Sequence, residues 1–384
     1  MPTIHWLGTG LSAIPGLKKL IENGHSVVVY NRTVDKAIEA LSGVDGDYQA
    51  VPFSIEAVKK HARSGDVIVS MLPGNFHVPV AELCISIEAH FVSSSYISEE
   101  MRDLNSAAIE KSLCLVNEVG LDPGIDHSMS HALVEEYRNS SAFSKENCHT
   151  FLSYCGGLSD VPNDFCYKFS WSPLGVLKAL MSTSVSIRDS EVYTVTKPWD
   201  SVEIYPLPMP WGEDEFEVYP NRDSRPFIEQ YQMDDDLKIE QFVRGTLRYK
   251  GWKSAWSNIF SEVDSLNSAD SEARLKEISD DLWSNYSYKE GEVDRVILTV
   301  ELKVKKESEV VWHKQFLLDT LGNSKGSAMA QLVSCSVALA VEAVIDNEIS
   351  AGVTAAPHDS KLVDRWLKQA DSISDHFVLV DHLS

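Results

Sequence analysis

The stretch PTIHWLGTGLSAIPGLKKLIENGHSVVVY (2–30) limits what this chain can fold into more than any other. A short apolar run from Pro2 to Leu7 meets Gly8-Thr9-Gly10-Leu11-Ser12-Ala13. Leu17, Leu20 and Ile21 follow at helical spacing, and HSVVVY (25–30) reads as a buried β-branched strand. Strand, glycine turn, helix and strand in that order make a βαβ unit. The first glycine permits the tight turn, the second lets backbone approach a pyrophosphate, and Ala13 lets the helix sit close on the sheet. Gly8, Gly10, Leu11 and Ser12 are therefore expected to bind a dinucleotide.

The end of the second strand bears on which dinucleotide. An NAD-binding unit places Asp or Glu there for the ribose hydroxyls, whereas this chain has Asn31-Arg32-Thr33. The missing carboxylate removes repulsion of a 2′-phosphate, and Arg32 and Thr33 supply donors to it, so NADP is favoured over NAD. A plain polar loop is the alternative reading.

The βα rhythm continues through GDVIVSMLP (65–73), HFVSSSYIS (90–98) and LCLVNEVG (113–120). In an open α/β sheet ligands lie beyond the carboxyl ends of the strands. Met71, Leu72, Ser95, Tyr96 and the segment from Asn117 to Asp126 therefore point at one crevice. His5-Trp6 is unusual inside an otherwise apolar first strand.

NEVGLDPGIDHSMSH (117–131) carries the polar cluster of that crevice. Pro123 and Gly124 break the strand, Asp122 projects from its end, and a helix is expected from about Ile125 with its amides facing the crevice. Those amides suit a dinucleotide or a carboxylate, so Gly124 and Asp126 are assigned to the cofactor, although Asp126 also reads as a complement to the helix N-terminus. Asp122 is the candidate to pair with a substrate ammonium and assist proton transfer. His127 fits either a proton relay or a satisfied buried histidine and stays outside the catalytic set.

Charge narrows the ligand class. With 34 basic against 57 acidic side chains the net charge is −23, which repels nucleic acid and anionic membrane surfaces. An anionic ligand then needs local arginines or helix N-termini. The six cysteines form no CxxC pair, and MPTIHWLGTG has no charged region followed by an apolar one, so a reduced, cytoplasmic protein is expected. Ala328 to Ile345 is long enough to span a membrane, but Gln331, its Ser and Cys positions and Glu342 favour a buried core helix. His127 and His131 are four apart yet lack a third ligand, so no metal is expected.

From about residue 148 the pattern changes. HTFLSYCGG, EVYTVTK, DEFEVYP and DRVILTVELKVKKESEVVWHKQFLLD partly alternate, as in an antiparallel sheet with one exposed face. Between them lie an acidic helical stretch at roughly 234–288 and a Pro-rich loop or linker, YPLPMPWGED (205–214). The apolar helix after the last strand is expected to return and pack on the first domain.

GTGLSA (8–13), NRT (31–33), SSYIS (94–98), GLDPGIDH (120–127), YCGGL (154–158), FSWSPLGVL (169–177), YPNRDS (219–224), RGTLRYKG (244–251) and SAMA (327–330) together resemble the glutamate-forming saccharopine dehydrogenases, also called saccharopine reductases, in that family's order and across nearly the whole chain. Leu174 departs from the pattern, standing where many relatives carry Arg. The resemblance implies an α/β fold: a Rossmann-type doubly wound parallel sheet built from both chain ends (1–127 and 326–384), and an inserted α+β domain for substrate and dimerisation (128–325) with a small helical subdomain at about 234–288. It implies a homodimer that reversibly oxidises L-saccharopine with NADP or NAD, the imine being hydrolysed to L-glutamate and 2-aminoadipate 6-semialdehyde.

Such a substrate carries three carboxylates, and an arginine fork binds carboxylate better than a lysine point charge. The resemblance makes Arg222 a carboxylate ligand and brings Ser95 and Tyr96 to the substrate; a surface Arg222 held by Asp223, and a Ser95 capping the helix near Glu99, are the bland alternatives. Gly245 frees the backbone at Thr246, whose hydroxyl and amide suit a second carboxylate, with Arg248 close by; Arg244 and Arg248 would share a face if the stretch were helical. Gly156, beside the neutral thiol of Cys155, is a candidate backbone contact to cofactor. A carboxy(nor)spermidine dehydrogenase or another opine-type imine reductase is the alternative activity, disfavoured because Arg222 and RGTLRY serve more carboxylates than a polyamine product needs. An idle NADP-sensing scaffold is a third reading.

Overall fold

Two sheets organise the chain, and the first explains the opening motif. In this computed structural model, which describes residues 2–233, 237–266 and 271–384, the strands are β1 (Ile4–Leu7), β2 (Val27–Asn31), β3 (Tyr48–Pro52), β4 (Val67–Ser70), β5 (His90–Val92), β6 (Cys114–Val116), β7 (Cys148–Ser159), β8 (Ser184–Arg188), β9 (Glu191–Val195), β10 (Glu203–Met209), β11 (Gly212–Pro220), β12 (Lys238–Tyr249), β13 (Asp294–Lys306), β14 (Glu309–Leu321), β15 (Gly352–Thr354) and β16 (His376–Asp381). The chain divides into one unit of residues 1–128 and 323–373 and another of 129–322 and 374–384.

The first unit is a parallel sheet in the order β15-β6-β5-β4-β1-β2-β3. The strand order reverses between β1 and β4, so the loops after these two strands open the crevice where such sheets bind ligands. Ile4, Trp6, Val27, Val29, Val67 and Val69 pack on one face with the helix Ala328–Ile345, and Leu7, Tyr30, Ile68 and Phe91 pack on the other. Ala328–Ile345 is almost wholly buried, which is what its composition suggested. His5 is accommodated in β1 because both ring nitrogens are partnered, by the Tyr30 hydroxyl at 2.9 Å and Asp66 at 3.0 Å.

The helix Ile14–Glu22 docks on Ala328–Ile345 through Gly16. A Cβ at Gly16 would lie 1.9 Å from the Ser334 carbonyl oxygen, so the backbones touch. The Gly16 amide donates to Ser334 Oγ at 2.8 Å, and that hydroxyl donates to the Ala330 carbonyl at 2.6 Å. A side chain far along the chain thus satisfies one of the orphan amides of a helix start. Ala13, expected to let the helix sit close on the sheet, is buried in the cluster with Ile4, Trp6 and Val27, while Gly16 makes the close approach to Ala328–Ile345.

The second unit is built on a mixed sheet in the order β10-β11-β12-β7-β13-β14-β16, with the β8–β9 hairpin attached to β12. Residues 374–384, expected with the first domain, instead form β16 at this sheet's edge, where Phe377 pairs with Leu318. The Pro-rich segment 205–214 is no linker: β10 and β11 form a hairpin across it. Pro206 and Pro208 fit because β10 is an edge strand, where a missing N–H faces no partner.

The expected helical stretch at 234–288 is mixed. Its residues 234–236 and 267–270 lie outside the described residues. Lys238–Tyr249 is strand, and helices occupy Trp252–Ala255, Ser257–Asp264 and Ser271–Tyr286. These helices pack Trp252, Trp256, Phe260, Leu275 and Ile278 against Tyr167, Phe169 and Leu177, and Leu174 joins that apolar cluster.

Candidate functional site

In the first unit the glycine loop has the geometry of a phosphate cradle. Gly8 takes φ +96°, and a Cβ there would lie 2.9 Å from the Met71 carbonyl oxygen, so a side chain is excluded by both conformation and space. Gly10 faces open space, Leu11 is exposed and Ser12 half-buried. No side chain caps the following helix from Ala13. The Asn31 side-chain amide donates to the Thr33 carbonyl at 2.9 Å, shaping the turn after β2. Arg32 and Thr33 are exposed there; Thr33 makes no cap hydrogen bond, and Arg32 has no acidic partner among the described residues. An unopposed guanidinium and hydroxyl beside a carboxylate-free strand end fit a 2′-phosphate. Met71 and Leu72, half-buried after β4, stand next to Gly8.

The second wall of the crevice is the turn after β6. From Leu113 to His131 every residue is buried except Asp122, which is half-buried. Tyr96 reaches it, its hydroxyl donating to Asp122 Oδ1 at 3.0 Å. The turn is closed by glycine: a Cβ at Gly124 would lie 2.1 Å from the Gly120 oxygen.

The amides expected to face a ligand here are already used. Those of Ile125 and Asp126 donate to the carbonyls of Gly120 and Leu121, that of His127 to Gly124, and that of Gly124 to Asp126 Oδ1 at 2.6 Å. Gly124 and Asp126 therefore serve the turn, and the fully buried Asp126 carboxylate offers no surface to a cofactor. His127 is likewise fully buried, with Nε2 3.0 Å from Glu118 Oε2 and Nδ1 3.6 Å from Asp126. Glu118, which the sequence reading passed over, also accepts the Ile97 amide at 2.9 Å and so pins the loop that carries Ser95 and Tyr96.

Ser95 does not cap the helix Glu99–Asp103; Ser98 does, accepting from Met101. The Ser95 hydroxyl instead meets His77 Nε2 at 2.8 Å, and His77 Nδ1 meets Ser70 Oγ at 2.9 Å. Burial holds the imidazole down to about 4, so it is neutral at physiological pH. No sequence signal marked His77, a lone histidine after a Pro-Gly turn.

In the second unit Arg222 is exposed at φ +59°, in the turn after β11, and its carbonyl accepts from the Val185 amide at 2.8 Å. The neighbouring Asp223 carboxylate grips Arg225 through hydrogen bonds that include two of 3.0 and 2.7 Å. Arg244, Thr246 and Arg248 lie on strand β12 and not on a helix, so alternation places all three on one face. Thr246 is opposite Tyr219 in the ladder. The Tyr219 hydroxyl interacts with Thr246 and Arg248, and burial pushes its pKa up.

Arg248 is buried, its guanidinium 4.7 Å from the Tyr167 ring centre, 5.7 Å from Trp252 and 5.9 Å from Tyr219. It donates to the Leu247 carbonyl at 2.9 Å and has no carboxylate partner among the described residues. Gly156 lies inside β7, where a Cβ would strike the Leu247 oxygen at 2.5 Å. Strand packing accounts for that glycine without a cofactor. Among the described residues no three His, Cys, Asp or Glu side chains gather as a metal site.

Two family profiles match this architecture: residues 4–116 match the saccharopine dehydrogenase NADP binding domain and 120–372 the saccharopine dehydrogenase C-terminal domain. The chain belongs to the saccharopine dehydrogenase family. The saccharopine dehydrogenase [NADP(+), L-glutamate-forming] of Pyricularia oryzae is 30% identical, the match covering 94% of this chain and 95% of that one. Among solved structures, apo saccharopine dehydrogenase (L-Glu forming) from Saccharomyces cerevisiae superposes with a TM-score of 0.79 at 24% identity, covering 99% of this chain and all of that one. The homospermidine synthase of Legionella pneumophila in complex with NAD shares the fold at a TM-score of 0.66 and 9% identity, over 99% of this chain and 91% of that one, and at that distance says nothing of chemistry.

Proposed function

We propose that this saccharopine dehydrogenase family member oxidises L-saccharopine with NADP+, releasing L-glutamate and 2-aminoadipate 6-semialdehyde in lysine metabolism, and runs the reverse reaction under reducing conditions. The observation that carries the proposal is Asp122: the sole opening in a buried polar run, bonded to Tyr96 beside the nucleotide crevice. The Gly8–Ser12 loop and the Asn31–Thr33 turn hold NADP, with Met71 and Leu72 beside the loop, and the bound cofactor supplies the hydride acceptor.

The chain's own groups do the rest. Asp122 pairs with the substrate's secondary ammonium and takes its proton. Tyr96 fixes the carboxylate's direction, and Ser95 donates to the substrate. Arg222, Thr246 and Arg248 are the carboxylate ligands; in support, Arg248 is a buried cation with no carboxylate counter-ion among the described residues, and such a charge is costly unless a ligand supplies one. The enzyme is further proposed to act in the cytoplasm, a reading supported by its six free cysteines, and as a homodimer.

The test is direct. Purified protein given saccharopine and NADP+ should raise absorbance at the nicotinamide band and yield glutamate in equal amount. NAD+ should work less well. Absence of product with both cofactors overturns the assignment.

A further inference from the structure

The hydrogen-bond chain Ser70–His77–Ser95 joins the carboxyl end of β4 to the loop after β5, two neighbouring strands whose ends line the crevice. His77 is the first residue of the helix His77–Ile87, its ring is buried, and Phe91 packs edge-on against it with ring centres 6.3 Å apart. Ser70 is fully buried and Ser95 half-buried, so the chain runs from the interior to the crevice and ends on a hydroxyl a ligand can reach. The backbone around that hydroxyl is fixed as well: the Ser95 amide donates to Ser93 Oγ at 3.1 Å, and its carbonyl accepts from the Glu118 amide at 3.0 Å.

A neutral imidazole has one donor nitrogen and one acceptor nitrogen, so Ser70 and Ser95 must play opposite parts. If Nδ1 carried the proton, Nε2 would accept the Ser95 hydroxyl proton. Ser95 would then present only lone pairs to the crevice and would repel a carboxylate. If Nε2 carries the proton, Nδ1 accepts from Ser70, Ser95 accepts from Nε2, and the Ser95 proton is left for the ligand. Only the second arrangement suits an anionic substrate.

We infer that His77 is a positioning residue: as the Nε2–H tautomer, with the Ser70 hydroxyl donating to Nδ1, it orients Ser95 so that its O–H donates to a substrate carboxylate. The inference rests on the proposed saccharopine activity, whose anionic substrate is what favours this tautomer; the coupling of Ser70, His77 and Ser95 stands on the geometry alone. Ser70, buried behind the ring, closes the inner end of the chain.

Two measurements test it. Nitrogen-15 NMR of the cofactor-free protein at neutral pH should show His77 neutral and protonated on Nε2, with Ser70→Ala shifting the population towards Nδ1–H; a wild-type ring protonated on Nδ1 overturns the inference whatever the enzyme's substrate. In saccharopine kinetics, His77→Ala should raise KM about tenfold or more, the size expected for a misdirected hydrogen bond to a charged group, while NADPH affinity by fluorescence titration stays unchanged. His77→Gln, whose side-chain amide can reach Ser95, should recover much of the loss. In a Ser95→Ala background His77→Ala should add nothing, because its effect passes through Ser95. Additive losses overturn the inference. A wild type inactive on saccharopine sinks the functional reading instead, and the NMR result still decides the role of His77.

Discussion

The Tyr96 hydroxyl donates to Asp122 Oδ1 across 3.0 Å, joining the loop after β5 to the turn after β6. If Asp122 takes the amine proton, Asp122→Asn should lower kcat by about 100-fold or more, a size typical of a lost general base. Tyr96→Phe should cost about tenfold, because only the orientation of the carboxylate is lost. Steady-state kinetics with NADPH titration as control checks both; an Asp122→Asn enzyme near wild-type kcat would remove Asp122 from the catalytic role.

Arg222 stands exposed in the turn after β11. If Arg222 binds a substrate carboxylate as proposed, Arg222→Ala should raise the KM for saccharopine about 10- to 100-fold with a small change in kcat, since a charge-assisted pair would be removed. Arg222→Lys should recover only part of the loss, because an ammonium cannot reproduce the two-pronged contact.

Arg32 has no acidic partner among the described residues and follows a strand that ends in Asn31. Arg32→Ala should weaken NADPH binding about tenfold and leave NADH binding unchanged, as read by nucleotide fluorescence. Equal weakening of both would place Arg32 away from the 2′-phosphate.

Gly16→Ala puts a methyl 1.9 Å from the Ser334 carbonyl. Overpacking of this kind costs about 1–3 kcal/mol, and the melting temperature should fall by several degrees. Gly43→Ala is not an equivalent control, because Gly43 takes φ +80°; Gly74→Ala, where a Cβ would meet open space, is.

His77 also predicts how stability varies with pH. Its folded pKa of about 4 lies below the ordinary 6.5 because of burial, and no charged group contributes to the shift. Between those values the unfolded chain binds more protons than the folded one, so stability falls as pH drops from about 6.5 to about 4 and this contribution is fully lost below that. The lowered pKa is worth about 3 kcal/mol across the window. His77→Gln should flatten the wild-type decline in chemical denaturation at pH 7, 5.5 and 4.5, whatever His5, His90 and His149 contribute in both proteins.

What the sequence by itself determined was local. A GxGxxA turn between a buried strand and a helix is a local pattern, so the glycine loop after β1 and the turn at Asn31–Thr33 could be read from spacing, and so could the projection of Asp122 before Pro123 and Gly124. Tertiary structure decided which polar groups remain available. Gly124, Asp126 and Gly156 looked like ligand contacts, but their amides, carboxylate and missing side chain are consumed by the turn and by Leu247. Arg244 and Arg248, four apart, would share a face in either a helix or a strand, and pairing with β7 and β11 made the segment a strand, which brings Thr246 to the same face. The Ser334 hydroxyl that satisfies the Gly16 amide and the imidazole that turns Ser95 are contacts between residues that no periodicity links. Hydrogen-bond partners are set by proximity in space, which the chain acquires only once its strands have chosen their neighbours.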